Sequence, residues 1–261
     1  MILVLGGTLE GREIAGALAD EGFKVLVTVV SGYGAELIPQ DLSVEVLVCQ
    51  LDSLDLEQLV DEKKIKYIVD ATHPYARVIT DTAWKVAQKR NVPYIRFERP
   101  PVTEEIKGDL VFRALGYEEA AGLAVCKGST VFLTIGSRNL EPFVRAGKEN
   151  CKRIVARVLP DAGVLQQCAA LQMPPGDIIA VQGPFSLEMN QAMFLEYGAE
   201  VLVTKDSGRT GGTDTKIAAA LGLKIPVIIV NRPDYGGVPV VDRIETILEN
   251  ASQYASQKSG Y

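Results

Sequence analysis

The sequence predicts an α/β protein of two domains, each a parallel sheet with helices wound on both faces. Three observations carry this. Short apolar runs recur along the 261 residues, separated by segments of helical periodicity. The run Met1–Leu5 is broken by Gly6-Gly7 and followed at once by an amphipathic stretch, the pattern of a strand feeding a glycine turn and a helix N-terminus. The alternation stops at Arg99-Pro100-Pro101, where two prolines enforce extended backbone, and then begins again.

In the first series, strands fit near 1–5, 23–29, 44–48, 65–70 and 93–97. Helices fit near 10–21, 54–63 and 76–90; in the last, Ala83, Trp84, Val86 and Ala87 repeat at helical spacing. In the second series, strands fit 129–135, 152–158, 177–182, 200–204 and 225–230, and helices 116–125, 161–171, 186–197 and 212–221. Asp242–Tyr254 reads as a surface helix, and Ser256–Tyr261 as a frayed end. The two series give domains of 1–99 and 100–261. Both are Rossmann-like, with parallel sheets facing a central cleft at the strand C-terminal ends, where open α/β folds bind ligands.

Composition removes some function classes. The 27 basic and 33 acidic side chains leave a net charge of −6, which argues against a nucleic-acid binder. A local basic pocket for a small anion remains compatible with it. The four cysteines (Cys49, Cys126, Cys151, Cys168) have no Cys-x-x-Cys spacing, and one histidine is present, so no metal site is expected. They read as small buried hydrophobes in a reducing compartment. Met1 opens the first strand directly and no apolar run approaches ~18 residues, so a soluble cytoplasmic protein without membrane contact is expected.

The segment Gly6-Gly7-Thr8-Leu9-Glu10-Gly11-Arg12 is a candidate phosphate cradle. Bare N–H groups and the positive end of a helix suit a diphosphate. The dinucleotide fingerprint places glycine at its first, third and sixth positions; here these are Gly6, Thr8 and Gly11. The Thr8 hydroxyl is a candidate donor to a phosphate oxygen. No Asp or Glu lies between Gly22 and Ala35, where an acid would bind the ribose 2′-hydroxyl of NAD. That tilts the cofactor toward NADPH over NADH, although no arginine stands there either.

Five further segments follow strands: Thr72-His73-Pro74-Tyr75-Ala76, Gly136-Ser137-Arg138-Asn139, Leu159-Pro160-Asp161, Gln182-Gly183-Pro184-Phe185-Ser186 and Thr204-Lys205-Asp206-Ser207-Gly208. The same residue types serve as ordinary turns and helix caps. His73 is a candidate hydrogen-bond donor or proton source. Lys205, beside Asp206 and Ser207 and near Arg209 and Lys216, is a candidate partner for a substrate carboxylate or a conjugated system. Arg77, Arg96, Arg99, Arg138, Arg153 and Arg157 are further carboxylate candidates, most of them expected at the surface. The one Tyr-x-x-x-Lys considered, Tyr254–Lys258, lies beyond the last strand, which argues against a short-chain dehydrogenase. A phosphate loop ending in Gly-Lys-Ser/Thr and a Gly-x-Ser-x-Gly elbow are both absent.

Taken in order, the Gly6–Arg12, Asp70–Ala76, Arg96–Pro100, Gln182–Ser186 and Thr204–Gly208 segments resemble the precorrin-6A reductases, a family that includes the cobalt-precorrin-6A reductases. The resemblance runs from Met1 to about Arg232. It implies an NAD(P)H-dependent oxidoreductase of cobalamin biosynthesis that reduces a ring carbon–carbon double bond of an anionic tetrapyrrole, precorrin-6A or its cobalt form, to precorrin-6B. It also implies that Gly6, Gly7, Thr8, Gly11 and Arg12, with Glu10 in the same turn, hold cofactor phosphates. Ser31, Gly32 and Tyr33 would sit by the adenosine ribose. The segments containing Thr72, His73, Gln182, Gly183, Lys205, Asp206 and Ser207 would line the nicotinamide and substrate cleft. Two other readings stay open: a reductase of a small carbonyl on the same scaffold, and a non-catalytic dinucleotide-sensing module.

Overall fold

A computed structural model describes residues 1–39, 43–208 and 211–256. The chain forms two compact units, one of Met1–Pro100 with the described residues from Asp234 on, the other of Pro101–Pro233. In the first unit, β1 (Ile2–Leu5), α1 (Leu9–Asp20), β2 (Val25–Val29), α2 (Gly32–Glu36), β3 (Val44–Val48), α3 (Ser53–Glu62), β4 (Tyr67–Asp70), α4 (Arg77–Arg90) and β5 (Tyr94–Phe97) follow one another. The second unit contains β6 (Val111–Ala114), α5 (Tyr117–Lys127), β7 (Thr130–Leu133), α6 (Glu141–Glu149), β8 (Arg153–Val158) and α7 (Ala162–Ala170). It continues with β9 (Ile178–Ala180), α8 (Leu187–Glu196), β10 (Val201–Lys205), α9 (Thr213–Gly222) and β11 (Val227–Val230). The chain then returns to the first unit as β12 (Val240–Val241) and α10 (Ile244–Ser256).

Both sheets are parallel, as the regular alternation predicts, and each has six strands where five were expected. The strand with period-two side chains sorts its residues to two helical layers. In β1, Ile2 and Val4 pack with Ile14 and Leu18 of α1 and Ile247 and Ala251 of α10. Leu3 and Leu5 pack on the other face with Leu56 and Val60 of α3 and Ala83 and Val86 of α4. In the second unit, Phe132, Leu202 and Val227 pack with Phe194 of α8 and Ile217 of α9. The opposite layer there is built by α5 and α6, which pack on each other and on the sheet.

The strand orders are the same in both units. The first reads β3-β2-β1-β4-β5-β12, the second β9-β8-β7-β10-β11-β6. Each is the order of a dinucleotide-binding sheet, with its direction of winding reversing beside the first strand of the five-strand run. The sixth place is filled from outside that run: by β12, which joins β5 with Val240 opposite Arg96, and by β6, which joins β11 with Val227 opposite Val111. The switch points therefore fall between β1 and β4 and between β7 and β10.

Three differences from the sequence reading have physical causes. The domain boundary of 100–261 gives way to a first unit completed from Asp234 onward. The segment expected as a surface helix is the amphipathic α10, whose Ile247 is fully buried against α1 and β4. Helix α6 lacks the expected signal because it contains Pro142 and Gly147; Gly147 is needed there, since a Cβ would lie 2.5 Å from Ile154 Cγ1. Of the cysteines, Cys168 is buried, but Cys126 and Cys151 are exposed. Among the described residues no helix is long and apolar enough to cross a membrane.

Ile247→Asp places a carboxylate at a site with no exposure and separates α10 from the first unit. We expect a loss of ~3 kcal/mol or more in urea unfolding, where the same change in a surface helix would cost little.

Candidate functional site

At the first switch point the turn after β1 is shaped by contacts that exclude side chains. A Cβ on Gly6 would stand 3.0 Å from Val27 Cγ1, and one on Gly11 would stand 3.3 Å from Gly6 Cα. Close packing of β1, β2 and α1 thus requires glycine at both. Gly7 has φ +110° and nothing within 4 Å of where its Cβ would be, so the turn is open on that side. Thr8 caps α1: its hydroxyl oxygen accepts from Gly11 N at 3.0 Å. Its hydrogen goes to Ala71 O at 2.8 Å. The hydroxyl expected as a phosphate donor therefore ties the cradle to the loop after β4.

A cavity of about 180 Å³ adjoins this turn. Gly6, Gly7, Gly11 and Arg12 line it on one side, and Ser31 and Tyr33 on the other. Ser31 caps α2, accepting from Gly34 N at 3.1 Å. Gly32 opens that helix beside it. Glu10, in the first turn of α1, is ion-paired with Arg99. Among the described residues Arg12 makes no ion pair or hydrogen bond, although it stands at the cavity wall.

The loop after β4 rests on a fully buried ion pair, Asp70 with Arg96 of β5, at 2.7 Å. Asp70 Oδ2 also accepts from the Thr80 and Tyr94 hydroxyls at 2.7 Å each, and Oδ1 accepts from Thr72 N and Thr72 Oγ1 at 3.0 and 2.6 Å. Burial, the largest single influence, would lower the Arg96 pKa, but Asp70, Tyr235, Glu98 and Tyr94 together outweigh it and the value is raised. Burial, reinforced by Asp70, pushes the Tyr94 phenol far up. Arg96 Nη2 donates to His73 O at 3.3 Å, and Tyr75 N donates to His73 Nδ1 at 3.2 Å. With Nδ1 accepting, a neutral His73 carries its proton on Nε2. Arg96, one of the arginines expected mostly at the surface, has no exposure at all.

At the second switch point, Gly136 turns the chain after β7 with φ +82°. Lys205 ends β10. Burial, aided by Arg138, brings the Lys205 pKa down to about 8. Lys216 of α9, nearly buried, is lowered to about 7 by burial and then by Arg157 and Lys205. Burial lowers Arg157 of β8 to about 10; it donates to Asn190 Oδ1 at 2.8 Å and lies over the Phe185 ring at 4.7 Å. Lys216 is thus disfavoured as an ammonium by burial first and by Arg157 and Lys205 after it.

Asp206 does not join them as a free acid. Its Oδ2 accepts from Thr103 N and Oγ1 at 3.0 and 2.7 Å, and its Oδ1 accepts from Gly208 N and Arg232 Nη2 at 3.1 and 3.2 Å. Burial would raise its pKa, but the Thr103 hydrogen bonds and Arg232 outweigh that and lower it. Ser207 is buried, with its Oγ 3.1 Å from Thr213 Oγ1 and its N–H donating to that same oxygen at 3.2 Å. Asp206 and Ser207, expected as candidate catalytic residues in the cleft-lining segment, build the turn after β10 with these contacts. Gln182 and Gly183, expected at the cofactor, belong to the second unit, after its edge strand β9 and beside the Phe185 that underlies Arg157. Thr72 and His73 stand with the first unit's switch-point loop. Arg209 lies outside the described residues, as do residues 257–260 of the expected frayed end and Tyr261. Sequence reading passed over the burial of Lys216 and Arg157; a lysine and an arginine at inward positions of a helix and a strand were the available signal.

Comparison with known proteins gives the same fold and a family. A solved structure titled CobK precorrin-6A reductase superposes with a TM-score of 0.77, covering 97% of this chain and 96% of that one at 24% identity. The cobalt-precorrin-6A reductase of Priestia megaterium is 36% identical over 241 residues, 91% of this chain and 93% of that protein. The precorrin-6A reductase of Rhodococcus erythropolis is 33% identical over 257 residues, 97% and 96% of the two chains. The family described as precorrin-6x reductase CbiJ/CobK matches residues 1–252. With two dinucleotide-type sheets, an open glycine turn and this match over nearly its whole length, the chain belongs to the precorrin-6x reductase CbiJ/CobK family.

Proposed function

We propose that the chain reduces a ring carbon–carbon double bond of precorrin-6A, or of its cobalt form, with hydride drawn from NADPH bound at the β1–α1 turn of the first unit. Family membership makes it an oxidoreductase of cobalamin biosynthesis. The observation that carries the cofactor reading is the open Gly7 turn beside the cavity walled by Arg12 and Ser31. The N–H groups of the turn and the start of α1 receive the diphosphate. Arg12 and the absence of an acid at the end of β2 favour a ribose 2′-phosphate, and so NADPH over NADH. A reduced nicotinamide supplies the hydride when bound there.

The protein's own residues bind, orient and protonate. Lys205, Lys216 and Arg157 take the macrocycle's carboxylates, and the Phe185 ring under Arg157 offers an apolar face to the ring system. Hydride addition to one carbon of the double bond leaves its neighbour to be protonated. His73 Nε2–H is the proposed source of that proton, with Tyr75 N and Arg96 fixing the residue. Spectrophotometric turnover with the metal-free and cobalt tetrapyrroles, each with NADPH and NADH, tests the whole reading. Absence of turnover in all four mixtures would reject it, and turnover of a small carbonyl alone would favour a different reductase.

Arg12→Ala is expected to raise KM for NADPH about tenfold while changing KM for NADH little; equal effects on both cofactors would move Arg12 away from the 2′-phosphate. Gly7→Val, which puts a β-branched residue at φ +110° on the open side of the turn, is expected to weaken cofactor binding at least about tenfold by calorimetry. Unchanged affinity would reject the cradle. Lys205→Ala is expected to raise KM for the tetrapyrrole and leave cofactor binding intact.

The two lysines set opposite pH trends. Carboxylate binding needs their ammonium forms, so KM for the tetrapyrrole is expected to rise as pH passes from about 7 to about 8. Unfolded lysines titrate near ~10.4, so between those values the unfolded chain binds more protons and the ligand-free protein gains stability as pH rises. Lys216→Met is expected to flatten that second trend in thermal unfolding.

A further inference from the structure

The loop after β4 has almost no regular structure, yet its polar groups are assigned one by one. Thr72 N and Oγ1 go to Asp70. His73 O accepts from Ala76 N at 2.8 Å and from Arg96 Nη2 at 3.3 Å. Pro74 O accepts from the hydroxyl of Tyr235 at 2.7 Å. Tyr235 lies two residues into the segment that returns from the second unit, and its ring packs against Arg96, with Cζ 4.4 Å from the centroid. One side chain therefore holds the loop backbone with its hydroxyl and covers the buried guanidinium with its face. The same return segment gives Pro239 O to Arg96 N at 2.8 Å and pairs β12 with β5.

We propose that Tyr235 is a positioning residue for the Thr72–Tyr75 loop, so that the returning C-terminal segment fixes one wall of the cofactor crevice at the β1–β4 switch point. The loop is joined to the phosphate turn by the Thr8 hydroxyl on Ala71 O, so its displacement reaches the cradle as well as His73. Removing the hydroxyl frees the backbone at Pro74. Removing the ring also uncovers the Arg96 guanidinium where the ring packs on it, and a cation–π contact is lost with it. The proposal rests on the cofactor reading above, and the two are separable by experiment.

Tyr235→Phe keeps the ring on Arg96 and deletes the hydroxyl, with its bond to Pro74 O and its contact with the Thr80 side chain. In the full chain we expect NADPH affinity, measured by fluorescence titration without tetrapyrrole, to fall about 3–10-fold. KM for the tetrapyrrole is expected to stay unchanged, and amide exchange at residues 72–76 to accelerate. Tyr235→Leu is expected to extend both effects. A Phe variant with lower thermal stability but unaltered NADPH affinity and exchange would show a purely structural tyrosine and overturn the proposal. If the unmodified protein does not bind NADPH, the cofactor reading falls and takes the proposal with it. If it binds and the Phe variant matches it, the proposal alone falls.

Discussion

The first unit depends on a charge pair withdrawn from water. Asp70 and Arg96 have no exposed surface, and removing two ions from solvent costs several kcal/mol each. What offsets that cost is a dense set of hydrogen bonds that leaves Arg96 Nε without a partner among the described residues. Thr72, Thr80 and Tyr94 complete the carboxylate, and Thr80, His73 O and the Tyr235 ring complete much of the guanidinium. Such a pair gains little over an apolar core in stability but fixes geometry, because losing any partner leaves a buried charge exposed to its own desolvation. Its members come from β4, the loop after it, α4, β5 and the returning segment. One network thus sets how these elements meet beside the glycine turn.

The second unit uses the same strand order with the opposite electrostatics at its switch point. Its acid, Asp206, is fully engaged with Thr103 and Arg232, near the two places where the chain joins and leaves the unit. Its cations Lys205, Lys216 and Arg157 are left mutually repelling. A chain of net charge −6 thus holds three basic side chains together in its second unit, the group proposed above to take the substrate's carboxylates.

The sequence made the sheets legible because buried parallel strands are continuous apolar runs and the glycine turn has a fixed spacing. Gly6 and Gly11 were readable for the same reason: each is dictated by close backbone packing. The partners of Asp206 and Ser207 were not legible, because an acid and a hydroxyl beside a lysine look the same whatever they bind; here they meet Thr103 and Thr213, the first about a hundred residues distant. Strand β12 was invisible, since two valines carry no periodicity, and assigning the last segment to its neighbour in sequence then misplaced α10. Arg96 followed from the same limit. An arginine inside an apolar strand declares itself buried only when an acid on the adjoining strand is known.

The broken continuity of the first unit has a consequence for biogenesis. When residues 1–100 have left the ribosome, β5 still has an unpaired edge, and the apolar patch that will receive Ile247 and Ala251 is bare. More than a hundred residues must be synthesised before the missing strand and helix arrive. Throughout that interval the nascent half-sheet offers an unpaired edge and a bare apolar face to foreign strands.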